Sequence, residues 1–299
     1  VYGLTFDVGI FLNISPDHIG PIEHPTFEDY FYCKRQLVAN SRQVILQHEI
    51  DHFDLLQELA EKQMIPVITY GNEAADYQVK PLDHPLAFAL SSAEDRLELN
   101  GEYKILLAGD FNKENAAAAL IASALVGADQ AAGRQGLAEA LVPGRMNLLL
   151  KSNGAHIYVD YAHNYLSMKS LLAFAKEQHP NGKLLVITGS TGNKAESRRD
   201  GLGQAIGEYA DIAVLTSDDP NFEDPKKIAD EIQQGIQNDR VHVHFEADRK
   251  KAIKEAIHNA GPNDAIILAG KGTDKYMTVN GEDLPYEGDY HLAETFIKD

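Results

Sequence analysis

The second half of the sequence alternates regularly between short apolar segments and amphipathic segments, and this alternation constrains the fold more than any other feature. The apolar segments predict strands at residues 157–159, 183–188, 212–216, 241–245 and 265–268. Each interval between them is long enough for one helix. Strands that alternate with helices form βαβ units whose neighbouring strands run parallel. The sequence from about Gly144 onward therefore predicts an open, mostly parallel sheet covered by helices.

The first half predicts a mixed α/β domain with less regular spacing. Apolar runs predict strands at 7–14, 44–46 and 65–69. Patterns with a period of 3.6 residues predict helices at 26–38, 55–62, 116–126 and 131–141. Thr26 followed by Asp29 is a typical helix N-terminus. The pair Asn100-Gly101 favours a hairpin turn. Because Pro143-Gly144 ends the last helix, we place a domain boundary there, which gives domains 1–143 and 144–299.

The charge balance and the cysteine content narrow the functional classes. The chain has 27 Lys+Arg against 45 Asp+Glu, a formal net charge of -18. Nucleic acids and anionic membrane surfaces bind clustered positive charge, so we expect neither as the main partner. The single cysteine, Cys33, cannot form an internal disulfide, and no segment is typical of an export signal or a membrane span. These features favour a reducing, cytoplasmic compartment without membrane insertion.

Polar loops follow the predicted strands of the second half. Ligands of open α/β sheets bind at the carboxyl ends of the strands, where these loops lie. Their charged side chains would suit an amino acid, since arginine binds a carboxylate and a buried acid binds an ammonium group. The side chains concerned are Arg198, Arg199, Asp218, Asp219, Lys271 and Asp274.

Two groups of polar residues in the first half are further candidates. Asp17 and His18, with Lys34 on the next helix, suit a divalent cation and its phosphate ligands. The ordinary alternative is a capped turn and a solvated lysine. Asn112 and Asn115, at the start of an Ala-rich helix, could meet a purine edge or a phosphate, or simply cap the helix.

The domain junction supplies another candidate pair. Arg145 could bind phosphate and Asp160 could bind a ribose diol, although either could also be a surface charge. The loop 189–194 contains Gly and Lys but not the spacing of G-x-x-x-x-G-K-[ST], and no complete motif of this kind occurs in the sequence. A Walker A phosphate loop is therefore rejected for these residues.

Seven segments, taken together and in this order, resemble the Mur ligase family. They are residues 6–18, 30–34, 109–115, 143–145, 159–163, 217–220 and 270–272. The resemblance covers nearly the whole chain. Within the family, the sequence is most similar to members that add the third residue of the peptidoglycan stem peptide.

The resemblance implies a central ATPase-type α/β domain, cut short at its start, followed by a complete Rossmann-like domain. It also implies an ATP-dependent ligase that uses Mg²⁺ and adds an L-amino acid to UDP-N-acetylmuramoyl-L-alanyl-D-glutamate through an acyl phosphate. The family's uridine-nucleotide domain and its Gly-rich phosphate loop have no counterpart in the 299 residues. We therefore expect this fragment to be inactive alone, and we expect it to be a monomer.

The resemblance assigns roles to residues that would hold the metal and the nucleotide. His18 matches a magnesium ligand, and Lys34 matches the lysine that is carbamylated in this family; both would take part in catalysis. Asn112 and Asn115 match positions near adenine. Arg145 and Asp160 match positions that contact the phosphates and the ribose. His163 lies beside them in the sequence motif.

The resemblance also assigns an amino-acid site. Arg199 matches the arginine that holds the amino acid's carboxylate, and residues 218–221 occupy the specificity loop. Relatives that take meso-diaminopimelate have an arginine where this chain has Asn221. An asparagine cannot compensate for desolvating a second carboxylate, so L-lysine is the expected substrate. Asp218, Asp219, Lys271 and Asp274 would complete the site, with acids suited to the side-chain amine.

Two alternatives stay open. Another ligase of the superfamily, such as a folylpolyglutamate synthase or a different Mur step, would accept glutamate, alanine or a dipeptide in place of lysine. A non-catalytic amino-acid or nucleotide-binding module would have a reading frame that starts at a methionine near Val1.

Overall fold

A computed structural model describes residues 3–20, 23–84, 86–107 and 109–298. The chain forms two compact units, Val1–Pro16 with Thr26–Leu141 and Asp17–Pro25 with Val142–Asp299. The short segment Asp17–Pro25 thus belongs to the second unit, although residues of the first unit flank it on both sides. Within the described ranges, no helix is both long enough and apolar enough to cross a membrane.

One six-stranded sheet forms the centre of the first unit. Its strands lie in sequence order: β1 (Gly9–Phe11), β2 (Val44–Gln47), β3 (Val67–Gly71), β4 (Tyr77–Pro81), β5 (Ala87–Ser91) and β6 (Gly101–Lys104). Strands β1 to β4 pair in parallel, whereas β5 pairs antiparallel with both β4 and β6. This arrangement confirms the mixed α/β fold that the sequence predicts.

Helices cover both faces of this sheet. They are α1 (Phe27–Ala39), α2 (Phe53–Lys62), α3 (Asp110–Leu125) and α4 (Gln130–Glu139). Successive residues of β2 point to opposite faces, so Leu46 packs in the core that contains α1 and α2, whereas Ile45 packs in the core that contains α3. The predicted start of α1 is confirmed, because Thr26 Oγ1 accepts a hydrogen bond from the backbone N–H of Asp29 at 3.3 Å.

The connection between β5 and β6 differs from the predicted two-residue turn. It spans residues 92–100, and Gly101 is the first residue of β6. The Asn100 side chain accepts from the Ser92 N–H at 2.6 Å and donates to the Ser92 carbonyl at 2.9 Å. The side chain of Asn100 therefore closes a wide loop by replacing a backbone hydrogen-bond partner. Strands β5 and β6 do pair antiparallel, but the Asn-Gly turn predicted between them is wrong.

A second six-stranded sheet forms the centre of the second unit, in the order β11-β10-β9-β12-β8-β7. The strands are β7 (Asn147–Leu150), β8 (His156–Asp160), β9 (Leu184–Thr188), β10 (Ile212–Leu215), β11 (His242–Phe245) and β12 (Ala265–Ala269). The helices are α5 (Tyr165–Gln178), α6 (Arg198–Tyr209), α7 (Pro225–Gly235), α8 (Arg249–Asn259) and α9 (Asp289–Phe296). Strands β8 to β12 are parallel, and all five were predicted within one or two residues at their ends.

Two antiparallel elements of the second unit are absent from the sequence prediction. Strand β7 pairs antiparallel with β8 at the sheet edge. A separate hairpin joins β13 (Tyr276–Val279) to β14 (Glu282–Pro285) through Asn280 and Gly281. These two residues have φ values of 51° and 83°, the left-handed conformations that favour Asn-Gly in two-residue hairpins.

Helices α6 and α7 approach each other closely at Gly203. A Cβ atom on Gly203 would lie 2.2 Å from the Ile232 carbonyl oxygen and 2.7 Å from the Gly235 Cα. We expect Gly203→Ala to lower the free energy of unfolding of the second unit by about 1–3 kcal/mol, since the helices must separate. Gly207→Ala on the same helix is the matched control, because its Cβ would come no closer than 3.4 Å to another residue.

Urea unfolding of both variants measures this difference. The control is expected to be neutral or stabilising by up to about 1 kcal/mol, because alanine restricts the unfolded chain and favours helix. Equal destabilisation by the two substitutions would show that close helix packing is not the cause.

Candidate functional site

A cavity of about 350 Å³ is lined mainly by the loops that follow β8, β9, β10 and β12. These loops lie at the carboxyl edge of the second sheet, where open α/β sheets bind ligands. Residues predicted from the sequence and found in the lining are His18, Arg145, His163, Arg198, Asp218, Asp219, Lys271 and Asp274. Further lining residues are Tyr161, Ser190, Thr191 and Gly270.

Asp218 is the most unusual acid of the cavity. Its side chain is buried, with 6% of the residue exposed, and its carboxylate accepts no hydrogen bond from the described parts of the chain. Burial raises the pKa of Asp218 to about 6, although the charges of Arg249 and Lys271 act in the opposite direction. Gly270 has a φ of 110°, and a Cβ there would lie 2.1 Å from Asp218 Oδ2, so the close approach requires glycine.

Lys271 joins the other two acids of the cavity. Its buried Nζ donates to Asp219 at 2.9 Å (Oδ1) and 3.1 Å (Oδ2), and it lies 3.6 Å from Asp274 Oδ2. Desolvation opposes the charged form of Lys271, but the hydrogen bond to Asp219 and the negative charges of Asp218, Asp219 and Asp274 outweigh it and raise the pKa of the ammonium group. Asp219 and Asp274 therefore share one cation by close contact, whereas Asp218 has no hydrogen-bonded partner among the described residues.

The two arginines at the start of α6 have different partners. Arg199 is buried and donates to Glu223 at 3.0 Å and to Glu231 at 2.5 Å, and it is absent from the cavity lining. Desolvation opposes the charged form of Arg199, but the two glutamates outweigh it and raise the pKa of the guanidinium. Arg198 does line the cavity, and its Nε donates to Asp17 Oδ1 at 2.5 Å. Arg198 thus lies in the cavity lining, whereas Arg199, which the resemblance assigns to the amino-acid carboxylate, does not.

Arg145, Tyr161 and His163 form another side of the cavity lining. The Arg145 guanidinium lies 5.0 Å from the centre of the Tyr161 ring, and the Tyr161 hydroxyl donates to Asp274 Oδ1 at 3.0 Å. His163 Nδ1 donates to the Tyr161 carbonyl at 2.7 Å, which leaves the lone pair on Nε2. Burial lowers the pKa of His163, so its imidazole is neutral at pH 7. A cation and a neutral acceptor thus lie close together.

Asp160 and Asn221 hold backbone groups in this structure. The two carboxylate oxygens of Asp160 accept from the N–H groups of Met146 at 2.8 Å and Ala162 at 2.7 Å. Burial raises the pKa of Asp160, and the two N–H groups partly oppose that effect. Asn221 Oδ1 accepts from the Gly281 N–H at 2.9 Å, which ties the loop after β10 to the β13–β14 hairpin. Neither residue lines the cavity, so both position loops where the sequence predicts ligand contacts.

The segment Asp17–Pro25 places His18 beside the cavity. His18 Nδ1 donates to Glu23 Oε1 at 2.9 Å, and Arg198 Nη2 lies 3.4 Å from His18 Nε2. Burial raises the pKa values of Asp17 and Glu23, but bonds from Arg198 and His18 outweigh it and lower both. Sequence reasoning did not identify Glu23, which carries no motif.

A buried ion pair supports two of the cavity loops. Arg249 donates to Asp289 through Nε at 2.9 Å and through Nη2 at 2.6 Å. Arg249 Nη2 also donates to the Ala269 carbonyl at 2.7 Å, and Nη1 to the Ser217 carbonyl at 3.4 Å. These carbonyls precede Gly270 and Asp218, so Arg249 fixes the backbone beneath both. No sequence signal selects Arg249, because an arginine at the start of a Lys-rich helix is usually exposed.

Three predicted site residues lie in the first unit. Lys34 is exposed on α1, with its Nζ 5.3 Å from the centre of the Tyr30 ring, and it lines a largely apolar cavity of about 630 Å³. Asn112 is buried and Asn115 is exposed in the first turns of α3, and Asn115 Nδ2 lies 3.5 Å from Asn112 Oδ1.

Two domain profiles of one family match the chain. The profile of the Mur ligase middle domain matches residues 1–123. The profile described as "Mur ligase, glutamate ligase domain" matches residues 144–272. The two matches lie in the two halves that the sequence predicts as separate domains.

Curated proteins match over the whole chain. The UDP-N-acetylmuramoyl-L-alanyl-D-glutamate--L-lysine ligase of Enterococcus faecalis is 54% identical over 99% of this chain and 59% of its own length. A UDP-N-acetylmuramyl-tripeptide synthetase of Latilactobacillus sakei is 46% identical over 98% of this chain and 60% of its own length. The chain thus spans about three fifths of these relatives.

A solved structure agrees with the sequence matches. The structure of a UDP-N-acetylmuramoyl-L-alanyl-D-glutamate--2,6-diaminopimelate ligase superposes with a TM-score of 0.57 at 29% identity, covering 98% of this chain and 60% of that one. With both domain profiles, the curated relatives and the fold in agreement, the chain belongs to the Mur ligase family.

Proposed function

We propose that the full-length protein is an ATP-dependent ligase that joins L-lysine to UDP-N-acetylmuramoyl-L-alanyl-D-glutamate in peptidoglycan precursor synthesis. The main support is the 54% identity to a relative that is named for this reaction. The cavity is compatible with an amino-acid substrate, since Arg198 and Asp218 offer one cation and one unpaired acid within the same lining. The relatives' length is the reason to assign the activity to the full-length protein.

In this proposal, Asp218 binds the side-chain ammonium of lysine. The α-amine must lose its proton before it attacks the activated carboxyl group. A carboxylate stabilises the protonated form of a neighbouring amine, so Asp218 suits the side-chain ammonium, which does not react. Asp218 is better placed for this than Asp219 or Asp274, because Lys271 already contacts both of those acids. The side-chain ammonium of lysine would form a charge-assisted hydrogen bond with Asp218, whose carboxylate accepts none from the described residues.

Arg198 binds the α-carboxylate in this proposal, and no equivalent cation awaits a second carboxylate at position 221. Asn221 is uncharged, and its side-chain oxygen is engaged by the Gly281 N–H. A distal carboxylate such as that of meso-diaminopimelate would therefore lose water without gaining an ionic partner. This difference supports lysine as the preferred substrate.

Further residues are proposed to bind the nucleotide and the metal. We propose that Asn112 and Asn115 contact adenine and that Arg145 and His163 contact phosphates. We propose His18 as a magnesium ligand, a role that suits an imidazole whose Nδ1–H is held by a carboxylate, here Glu23. Lys34 would act as a carbamate, which offers hard oxygen donors. Mg²⁺ neutralises charge on the phosphoryl group that is transferred.

The amino-acid dependence of the full-length enzyme tests this function. With ATP, Mg²⁺ and the nucleotide dipeptide, we expect kcat/KM for L-lysine to exceed that for meso-diaminopimelate by about 100-fold or more. Phosphate release should stop when the nucleotide dipeptide is omitted. Preference for glutamate, alanine or a dipeptide would instead identify another ligase of the superfamily, and absence of any turnover would favour a binding module.

A further inference from the structure

Residues of the segment Asp17–Pro25 make polar contacts with the rest of the second unit. Asp17 Oδ1 accepts from Arg198 Nε at 2.5 Å, Asp17 Oδ2 lies 3.5 Å from Asn164 Nδ2, and Glu23 Oε2 accepts from the Ala195 N–H at 3.1 Å. Arg198 Nη2 also lies 3.4 Å from His18 Nε2. We call this segment the strap. It contacts the start of α5, the start of α6 and the loop that joins β9 to α6.

The contact between Asp17 and Arg198 is largely removed from solvent. The exposed fractions of the two side chains are 11% and 9%. A charge-assisted hydrogen bond in such surroundings is stronger and more directional than an exposed ion pair. Arg198 also lines the cavity, so its partner determines where its remaining N–H groups point.

The neighbouring arginine does not provide this support. Arg199 donates to Glu223 and Glu231 and holds the Thr191 carbonyl at 3.2 Å. Arg199 therefore fixes the inner side of the β9–α6 loop. The cavity-facing side depends on Glu23, through Ala195, and on Asp17, through Arg198.

We propose that Asp17 and Glu23 are positioning residues, through which the strap holds Arg198 and the β9–α6 loop in the geometry that binds the amino-acid carboxylate. This inference rests on the function proposed above. Neither residue touches the amino acid. Asp17 acts through Arg198 and Glu23 through His18, both of which line the cavity, and Glu23 also holds the Ala195 N–H in the β9–α6 loop.

A mutant cycle on the full-length enzyme tests the role of Asp17. Asp17→Asn is nearly isosteric and removes the charge that orients Arg198, so we expect KM for L-lysine to rise about tenfold or more with KM for ATP changed less than about twofold. In an Arg198→Gln background, the same substitution should change KM for lysine less than about twofold. A purely structural Asp17 would have the same effect in both backgrounds.

A second variant and a control keep the result independent of one substitution. Glu23→Ala is expected to raise KM for lysine several-fold and to speed hydrogen exchange of the Ala195 amide, which loses its acceptor. Glu287→Gln breaks an exposed ion pair with Lys250 elsewhere in the unit and should change neither value.

Three results would separate this inference from the proposed function. An active wild-type enzyme whose KM for lysine is unchanged in both strap variants would overturn the inference alone. A raised Mg²⁺ requirement with unchanged KM for lysine would also overturn it, because Asp17 would then act through His18. A wild-type enzyme that does not use lysine, with faster Ala195 exchange in Glu23→Ala, would overturn the proposed function and leave the strap as a structural contact only.

Discussion

Replacing Asp218 with asparagine is expected to lower kcat/KM for L-lysine by about 100-fold at pH 8. The substitution keeps the shape of the side chain but removes the negative charge, and losing one partner of a buried charge pair costs about 2–5 kcal/mol. Steady-state kinetics on the full-length enzyme measure the effect. Asp239→Asn, which neutralises an exposed acid of the same unit, should leave kcat/KM unchanged.

The pH dependence identifies the group responsible. Because burial raises the pKa of Asp218 to about 6, we expect kcat/KM for lysine to fall as the pH drops through that value, since protonation removes the charge that attracts the ammonium. This decrease in kcat/KM on the acid side of the pH profile, the acid limb, should be absent in Asp218→Asn. An unchanged acid limb in the variant would assign it to another group.

As the pH rises through the pKa of Asp218, we expect the stability of the folded state to fall while the activity rises. The folded pKa of Asp218 lies above its usual value of 3.8, so the folded state holds the proton more tightly and stability falls as the pH rises from about 4 to about 6. Asp218→Asn lacks this loss. We therefore expect the variant to unfold no more easily than the wild type at pH 8, which would exclude misfolding as the cause of its lower activity.

Arg249→Met is expected to destabilise the second unit by about 3–5 kcal/mol, because it leaves the Asp289 carboxylate buried without its partner. Asp289 has no exposed surface, and it also accepts a hydrogen bond from the Tyr286 hydroxyl at 2.6 Å. Hydrogen exchange of the β12 amides in the full-length protein measures the change within this unit.

Two variants sharpen the interpretation of Arg249. Lys250→Met, at the next position, removes an exposed cation and should shift stability by less than about 0.5 kcal/mol. The double variant Arg249→Met/Asp289→Leu should recover much of the loss, because neither charge remains buried. If the double variant is as unstable as the single one, the bonds from Arg249 to the Ser217 and Ala269 carbonyls are the larger contribution.

The sequence predicted the parallel core of the second unit because its strands are continuous apolar runs between helices. Strand β7 was missed, since four residues at a sheet edge leave a weak pattern. The turn signal of Asn280-Gly281 was present in the sequence, but Asn100-Gly101 was chosen for a hairpin in its place. An Asn-Gly pair indicates a turn reliably only when strands of matching length flank it, as β13 and β14 do.

The sequence predicts which loops form the site but not which way their side chains point. Strand order brings the loops after β8, β9, β10 and β12 to one edge, and the charged residues there follow from the sequence. The sequence does not show which of Arg198 and Arg199 faces the cavity. Neighbouring helical residues point about 100° apart, and the sequence does not fix the start of the helix to within one residue. The backbone hydrogen bonds of Asp160 and Asn221 could not be predicted either, because a polar side chain that bonds the backbone looks identical, in sequence, to one that binds a ligand.

The position of β12 within the second sheet also governs when this unit can be completed during synthesis. Strands β8 and β9 do not pair with each other, and β12 lies between them although the 76 residues 189–264 separate β9 from β12 in the chain. A nascent chain that has exposed only β7 to β11 at the ribosome therefore holds two incomplete half-sheets, each with an unpaired edge. The cavity loops meet only when β12 emerges and joins the halves, so the amino-acid site is among the last parts of this unit to form.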